Sequence, residues 1–456
     1  MARALKSKKL LIFMCVLAVT VAIAGVVGCA PKANPGNPTP SASSPTTVPA
    51  KNEFGVIGSD AWESQYPNQY RTFFDNNENA WPEGKHNYLE LYPEMVTLGK
   101  GYGYAKFFTE AGGHTYSMYT VTNNGRIGEK TQAGCLACKT PDVHMKAAAE
   151  GVSVWREPFA ADAEATLDGI TCANCHNNED PSQLSLLRAD WIRALGPEAS
   201  KRSLSGEVCG QCHCDYSMSP TTGEPTSPYD SVGTMTPDNA LAWYDEHGYV
   251  DWTYASTGAK MISVRHSEYE YCYGGEGNHM TQLGYDCADC HMPVETAADG
   301  SVYHSHYWQS PLDNEELIKN NCSTCHADLK AEMKAIEEKI DGRTHQIGMR
   351  AANFVKNFEE AVAAGTLSDD DLERLRYIQR AAAFYWNSAF AENSEGMHNP
   401  DLYTHVLDRA EMFLDEGDGL LGVESSADKF VSEYDPSKDY TFSQTPEEYY
   451  ATHKRQ

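Results

Sequence analysis

The sequence predicts a mainly α-helical protein with an irregular, turn-rich central region and long helices near its C-terminus. Apolar residues that recur at spacings of three and four from residue 328 onward indicate the long helices. Five Cys-x-x-Cys motifs lie between residues 135 and 326, among Gly-, Pro- and Asn-rich turns that allow only short helices. The predicted fold class is therefore mainly α, with its unusual chemistry concentrated in the irregular region.

Each motif carries a candidate metal ligand directly after its second cysteine. Four motifs end in histidine, the Cys-x-x-Cys-His signature of covalent c-type haem attachment, and the first ends in lysine. Zinc sites pair such motifs at finger spacing, and a redox dithiol would compete only as a single copy, so five copies favour haem. The attaching cysteines are Cys135 and Cys138, Cys172 and Cys175, Cys209 and Cys212, Cys287 and Cys290, and Cys322 and Cys325. The ligands that follow them are Lys139, His176, His213, His291 and His326.

The lysine of the first motif indicates an enzyme. A haem with histidine on both faces is closed and can only pass electrons, so Lys139 sets one iron apart for chemistry. Deprotonating a lysine at pH 7 costs about 5 kcal/mol from a reference pKa near 10.4. Burial and a cationic iron both lower a lysine pKa and offset that cost. Haems would also supply much of the apolar core.

The first 29 residues read as an export and anchoring segment. A lysine-rich head precedes an apolar run over residues 10–27, and Cys29 follows a small residue. The pattern resembles a bacterial lipoprotein signal, with Cys29 as the lipidated residue. An uncleaved membrane anchor is the alternative, because the run is about long enough to span a bilayer. In both cases the remainder lies outside the cytoplasm, where c-type haems are attached.

The rest of the chain divides into a tether and two larger regions. Residues 30–52 hold six prolines among small and polar residues and predict a tether. Residues 53–326 form the predicted haem-packed catalytic region, and residues 327–456 form a helical C-terminal region. The net charge of −28 makes nucleic acid and anionic lipid surfaces poor partners.

Three helices are predicted in the C-terminal region. The first spans residues 328–364, because Gly365 is a C-cap signal. The second spans residues 368–390, with Ser368 as its N-cap. The third spans residues 399–414, since a proline at the first helical position favours a start there.

The order of the motifs, one lysine followed by four histidines, resembles the ammonia-forming cytochrome c nitrite reductases, a family of pentahaem enzymes. The likeness runs from about Gly113 to the C-terminal helices. The segments that carry it are Cys135-Leu-Ala-Cys138-Lys139-Thr-Pro-Asp-Val, Cys209-Gly-Gln-Cys212-His213-Cys214-Asp215-Tyr216, Arg265-His266-Ser267-Glu268-Tyr269-Glu270 and Cys287-Ala-Asp-Cys290-His291-Met292-Pro293. The resemblance implies five covalent haems, reduction of nitrite to ammonium, a homodimer formed through the C-terminal helices, and a membrane quinol-oxidising cytochrome as electron donor.

Four closed haems need four further histidines from elsewhere in the chain. Counting haems by the order of their motifs, the resemblance assigns His114 to haem 3, His279 to haem 5, His306 to haem 2 and His398 to haem 4. His304 is the alternative to His306. We expect the remaining histidines to be ordinary polar or packing residues: His86, His144, His247, His345, His405 and His453.

The resemblance also implies the residues of a catalytic pocket. Arg126, twelve residues after His114, would bind nitrite through its guanidinium group. His266 would be the main hydrogen-bond and proton donor, because imidazole titrates near neutral pH. Tyr216 would place its hydroxyl beside the substrate. The alternative for Arg126 is a solvated charge on a loop.

One position departs from the commonest family pattern. Many members hold a calcium ion beside the pocket through a glutamate, a glutamine and two carbonyls, and the corresponding positions here are Asp215, Arg265, Tyr216 and Ser263. Calcium prefers several oxygen ligands and no adjacent cation. We therefore expect no calcium, with Arg265 contacting Asp215 through a bidentate guanidinium interaction. The alternative is that Arg265 points to solvent and the ion is retained.

Cys214 and Cys272 lie outside the motifs and the export segment. Both flank pocket segments of a protein in an oxidising compartment, so the sequence allows either a disulfide between them or two unpaired cysteines.

Two other functions are compatible with the motifs. The first is a pentahaem electron carrier without a substrate of its own, and the second is a related enzyme that acts on hydroxylamine or sulfite. Nitrite turnover and an available distal position on haem 1 would separate the enzyme from the carrier.

Overall fold

The computed structural model describes residues 42–78, 87–110, 112–197, 204–438 and 442–453. The predicted export segment, the first part of the tether and His86 lie outside these residues. In the part of the chain that is described, no helix is long and apolar enough to cross a membrane. The last residues of the predicted tether contact the central region, since Ser44 Oγ donates to Asp180 at 2.9 Å.

Short helices separated by turns make up the central region, as expected. The first seven are α1 (Pro67–Asp75), α2 (Tyr88–Leu91), α3 (Glu94–Leu98), α4 (Ser117–Thr122), α5 (Asp142–Glu150), α6 (Phe159–Ala165) and α7 (Ala189–Leu195). The next six are α8 (Leu204–Gly210), α9 (Pro237–Glu246), α10 (Glu268–Tyr273), α11 (His279–Gln282), α12 (Cys287–His291) and α13 (Glu315–Asn320). Turn-forming residues keep these helices short, so the backbone can bend around a large interior space.

The strands of the described residues form three small antiparallel hairpins. They pair β1 (Ser217–Met218) with β2 (Pro225–Thr226), β3 (Trp252–Thr253) with β4 (Lys260–Met261), and β5 (Val294–Thr296) with β6 (Val302–His304). With strands this short, the mainly α class is confirmed.

The C-terminal region contains the three long helices that the sequence predicts, α14 (Leu329–Ala364), α15 (Asp369–Phe390) and α16 (Pro400–Leu421), followed by the short α17 (Pro446–Tyr450). The predicted signals act as caps. Ser368 accepts a hydrogen bond from the Asp371 backbone, and Gly365 ends α14 in the left-handed conformation with φ 64°.

Helix α16 continues to Leu421, seven residues beyond the predicted end at Leu414. Two glycines follow Leu414 and weaken the helical pattern, but one of them is required for packing. A Cβ on Gly417 would lie 2.4 Å from Phe354 of α14, so glycine lets the two helices approach closely. Tertiary packing therefore overrides the low helix propensity of glycine here.

One hydrophobic core joins the long helices to the central region. The buried side chains of Trp386 and Phe354 belong to the same cluster as Trp191, Tyr254 and Tyr269. The Trp386 indole on α15 also donates to the Thr344 carbonyl on α14 at 2.8 Å. The long helices thus provide a rigid wall against which the central segments are packed.

Candidate functional site

All five cysteine motifs line a single cavity of about 3670 Å³ in the central region. The cavity wall also carries the four histidines assigned as second ligands, His114, His279, His306 and His398, together with Arg126, Tyr216, Arg265 and His266. Asp215 lies behind this wall and is buried. The fold therefore brings the site residues suggested by the sequence to one connected space.

Three histidine pairs face each other at closely similar distances. The ring centroids are 6.2 Å apart for His114 and His213, 6.0 Å for His176 and His306, and 6.1 Å for His291 and His398. Two imidazoles that bind one metal ion from opposite sides, each at about 2.0 Å from its nitrogen, have centroids roughly 6 Å apart. These residues therefore fit haems that are held on both faces by histidine.

Hydrogen bonds orient several of these rings through Nδ1. His291 Nδ1 lies 3.0 Å from the Gln309 carbonyl, and His306 Nδ1 lies 3.0 Å from the His304 carbonyl. His398 Nδ1 contacts the buried carboxylate of Glu392. When Nδ1 donates in this way, Nε2 keeps its lone pair for a metal.

Three further histidines lie beside these pairs or on the same cavity wall. His304 directs Nδ1 to the Met292 carbonyl at 2.9 Å, and His306, not His304, is the residue that faces His176. His279 and His326 both line the cavity.

Lys139 lies on the cavity wall at the end of the first motif. Its backbone N–H donates to Leu136 at 2.8 Å, and Ser117 Oγ donates to its carbonyl at 3.2 Å. Burial lowers the pKa of Lys139, and the nearby positive charge of Arg126 acts in the same direction. A lysine with a lowered pKa can offer a neutral amine, which is the form that binds a metal.

Arg126 lies in a turn on the cavity wall, half-buried, with its side chain packed against neighbouring residues. Its guanidinium carbon lies 4.6 Å from the centroid of the Tyr104 ring, and its backbone N–H donates to Asn124 at 2.9 Å. A Cβ on Gly103 would lie 3.2 Å from the Arg126 stem, so glycine makes room for it. The side chain is thus held in place with its charge on the cavity wall.

His266 and His213, the histidine of the third motif, lie beside the same carboxylate. Its Nδ1 is 3.5 Å from Glu268 Oε1, and His213 Nδ1 is 3.6 Å from the same oxygen. Burial opposes ionisation of Glu268, but the two histidines outweigh it and hold its pKa well below the ordinary value. Glu268 was given no role from the sequence, although its position two residues after His266 was available as a signal.

Arg265 occupies a buried network of oxygen atoms behind Tyr216. Its Nη1 donates to the Tyr216 carbonyl at 2.7 Å and to the Ser263 carbonyl at 3.1 Å. Its Nη2 donates to Asp251 at 2.8 Å and to the Tyr102 hydroxyl at 2.9 Å. The two carbonyls are those that the family pattern assigns to calcium, so the guanidinium group supplies positive charge to the same oxygens.

The predicted bidentate contact between Arg265 and Asp215 is wrong. Only the backbone N–H of Arg265 reaches Asp215, at 3.2 Å, and the carboxylate partner of the guanidinium is Asp251. Asp251 lies in a separate segment beside β3, so nothing in the local sequence around the pocket pointed to it.

Asp215 and Glu270 are two buried residues with neighbouring carboxyl groups, and the backbone of the first is hydrogen-bonded to the side chain of the second. The Asp215 backbone N–H and the Tyr229 hydroxyl both donate to Glu270 Oε1 at 2.7 Å. Burial raises the pKa of Asp215 to about 7, and burial together with Asp215 raises the pKa of Glu270 to about 8. Both groups therefore hold protons more tightly than exposed carboxylates do.

This arrangement predicts that the free energy of unfolding decreases as the pH rises. In the Glu270→Gln variant the decrease should be smaller. A raised pKa means that protonated Glu270 stabilises the fold below pH 4.5, its ordinary pKa, and that this stability is lost as pH rises through about 8. At about 1.4 kcal/mol per pKa unit, the upper bound of this loss is roughly 5 kcal/mol. Denaturant unfolding of the haem-loaded protein at pH 5, 7 and 9 measures it, with the exposed Glu316→Gln as control. Equal pH slopes in wild type and Glu270→Gln would contradict the assignment.

Cys214 and Cys272 are both free, so the disulfide alternative is not realised in the structure. Cys214 is buried with its sulfur 3.5 Å from the Ser227 hydroxyl.

Comparisons with known proteins match most of the chain. A family model described as Cytochrome c552 matches residues 58–448. The cytochrome c-552 of Maridesulfovibrio salexigens is 30% identical over 385 residues, which cover 78% of this chain and 74% of that protein. The cytochrome c nitrite reductase subunit NrfA of Nitratidesulfovibrio vulgaris is 27% identical over 419 residues, covering 78% and 77%.

A solved structure agrees with the fold. The catalytic subunit NrfA of cytochrome c nitrite reductase from Desulfovibrio desulfuricans superposes with a TM-score of 0.71 at 25% identity, covering 81% of this chain and 86% of that chain. That protein is described as having two calcium sites.

Proposed function

This chain belongs to the cytochrome c552 family, and on that premise we propose that it reduces nitrite to ammonium. The observation that carries the proposal is the placement of Lys139, Arg126, Tyr216 and His266 on one cavity wall that continues to the four histidine motifs. A relative and a structural neighbour are both cytochrome c nitrite reductases. Reduction of each nitrite needs six electrons and eight protons. The cavity would place the reactive haem at Lys139 next to the four other haems, which would deliver the electrons.

Five covalent haems would be attached at the five motifs. The centroid distances near 6 Å support His114 with His213, His306 with His176 and His398 with His291 as ligand pairs. His279 and His326 would form the fourth pair by the family pattern. Lys139 would bind haem 1 from one side and leave the other side for substrate.

When bound, haem 1 supplies the iron at which nitrite is reduced, and haems 2 to 5 supply the electrons. The chain's own residues bind the anion and move protons. Arg126 would hold nitrite through charge-assisted hydrogen bonds and stabilise the charge that develops on oxygen. His266 would donate protons through the ring nitrogen that faces the cavity, with Glu268 behind Nδ1 to orient the ring. The Tyr216 hydroxyl would donate a further hydrogen bond to the substrate.

Arg265 would replace the calcium ion that many family members hold. The support is that one guanidinium nitrogen donates to both carbonyls, those of Tyr216 and Ser263, which the ion would otherwise bind. The Arg265–Asp251 pair is buried, so a dication in the same place would meet a fixed positive charge at short range. The protein would therefore work without added metal.

The assembly and location are proposed from the family and the N-terminal sequence. The protein would lie outside the cytoplasm, attached to the membrane by lipidated Cys29 or by an uncleaved anchor, and take electrons from a membrane quinol-oxidising cytochrome. It would form a homodimer through the long helices, since Met412, Leu420 and Val423 expose apolar surface on and just after α16.

Steady-state reduction of nitrite with a chemical electron donor tests the function. We expect one ammonium for each nitrite consumed and six electrons for each ammonium. Spectra should show one high-spin haem in five, and cyanide or nitrite should perturb that haem alone. Five unreactive low-spin haems without turnover would support the electron-carrier alternative, and sulfite or hydroxylamine as the better substrate would support the third function.

A further inference from the structure

Arg188, directly before α7, is a buried cation behind the catalytic pocket. Its side chain is 1% exposed. It forms a bidentate ion pair with Asp190, in which Nε donates to Oδ1 at 3.1 Å and Nη2 donates to Oδ2 at 2.5 Å. Burying a charge pair is costly, and such a pair often stabilises no better than apolar residues of the same size. Stability alone therefore does not explain the position.

The free edge of the guanidinium group faces the first and third motifs. Nη1 donates to the Gln211 carbonyl, inside the third motif, and lies 3.6 Å from Cys138 Sγ, in the first motif. The guanidinium carbon is also 4.8 Å from the centroid of the Tyr216 ring, while that of Arg265 is 5.2 Å from the same centroid. One fixed charge thus touches a sulfur that would attach haem 1 and the ring of the proposed catalytic tyrosine.

Asp190 fixes the direction of this charge. The Ser227 backbone N–H donates to Asp190 Oδ2 at 3.0 Å, and the Ser227 hydroxyl donates to the same oxygen at 3.2 Å. The carboxylate therefore holds the rear of the guanidinium group, and the opposite edge stays directed at Cys138.

We propose that Arg188 is a positioning residue that raises the reduction potential of haem 1 and holds the ring of Tyr216. The proposal rests on the proposed function, because it assumes that haem 1 is the reactive haem. A buried positive charge beside an attaching sulfur favours the reduced form of that haem over the oxidised form. A cation near the face of a phenol also fixes the ring and withdraws electron density from it.

Arg193, on helix α7 that Arg188 precedes, is a matched control. It also donates to backbone carbonyls, Ser227 at 2.5 Å and Tyr229 at 2.8 Å, but its side chain is 42% exposed and it pairs with Asp230 at the surface. Removing it deletes an arginine and similar hydrogen bonds without removing a charge from the pocket.

The test is a redox titration of the haem-loaded protein without nitrite, followed through the high-spin band of haem 1. In Arg188→Gln the ratio of reduced to oxidised haem 1 at fixed potential should fall about tenfold, which is about 59 mV for a one-electron couple. Arg188→Lys should restore most of the ratio, because the charge is kept. Arg188→Gln with Asp190→Asn should fall between wild type and the single variant, and Arg193→Gln should equal wild type. The kcat for nitrite should fall in the same order, with KM nearly unchanged.

An unshifted haem 1 in Arg188→Gln, or an equal shift in Arg193→Gln, would overturn the proposal. If Arg188→Gln does not assemble all five haems, the double variant decides, because it leaves no unpaired carboxylate. A ratio of reduced to oxidised haem 1 like that of wild type in the double variant would also overturn the proposal. The titration needs no substrate, so it separates the two proposals. A wild-type protein that does not reduce nitrite would refute the function, while the shift of haem 1 would still report on Arg188.

Discussion

Nitrite reduction by the Arg126→Ala and His266→Ala variants is expected to fall roughly a hundredfold to a thousandfold, as for the loss of one preorganised oxyanion donor. Arg126 is held against Tyr104 and Gly103 with its charge on the cavity wall, so alanine removes the group proposed to bind the anion. The Glu268 carboxylate lies 3.5 Å from His266 Nδ1, and alanine at position 266 removes the proposed main proton donor. Neither residue is one of the proposed haem ligands.

The measurement is kcat and KM for nitrite at equal haem content, established from the absorbance of each variant. His247→Ala and Arg71→Ala are suitable controls, because both residues lie at the surface and neither belongs to the proposed pocket. Arg71 pairs with Asp75 and Glu295 and donates to the Tyr303 hydroxyl at 2.9 Å. Nitrite kinetics like those of wild type in both pocket variants would show that the pocket has been assigned to the wrong residues.

The Arg265→Gln variant should lose most of its activity or make that activity depend on calcium. Glutamine leaves the Asp251 carboxylate buried without its cation and leaves the Tyr216 and Ser263 carbonyls with fewer donors. Breaking a buried ion pair from one side typically costs 3–5 kcal/mol. Glutamine also restores the oxygen ligand of the common family pattern, so added calcium has a place to bind.

Assays with chelator and with added calcium distinguish these results from simple unfolding. Wild type should be insensitive to both, and its elemental analysis should find no stoichiometric calcium. Arg265→Gln with Asp251→Asn should be more stable than Arg265→Gln alone, because no unpaired carboxylate is buried. Its activity should not depend on calcium. Calcium bound in equimolar amount to wild type, or chelator-sensitive activity that calcium restores, would end this interpretation.

Local signals were enough to predict the long helices. Ser368, Pro400 and Gly365 each act on their own backbone through a cap or a fixed dihedral, and the structure places all three at helix ends. The end of α16 was missed because Gly417 is kept for its contact with Phe354, which is a property of two helices and not of one.

The site shows the same division between local and distant information. The residues of each motif are consecutive in the sequence, so the chemistry of the motifs could be inferred directly. Asp251, Glu268 and Arg188 act on the pocket through partners brought together by folding, such as Arg188 and Cys138, which are 50 residues apart. Charge pairing across such separations has no sequence pattern, and the contact expected between Arg265 and Asp215 was wrong for that reason.

The pairing of Asp251 with Arg265 also constrains how such a site can evolve. Losing the arginine first strands a buried carboxylate, and losing the aspartate first strands a buried guanidinium group. Either intermediate gives up a large share of the 5–15 kcal/mol by which proteins are typically stable. A lineage can therefore cross between the metal-bound and arginine forms only by near-simultaneous substitutions or from an unusually stable ancestor. We therefore expect Asp251 and Arg265 to be retained together or replaced together in related sequences.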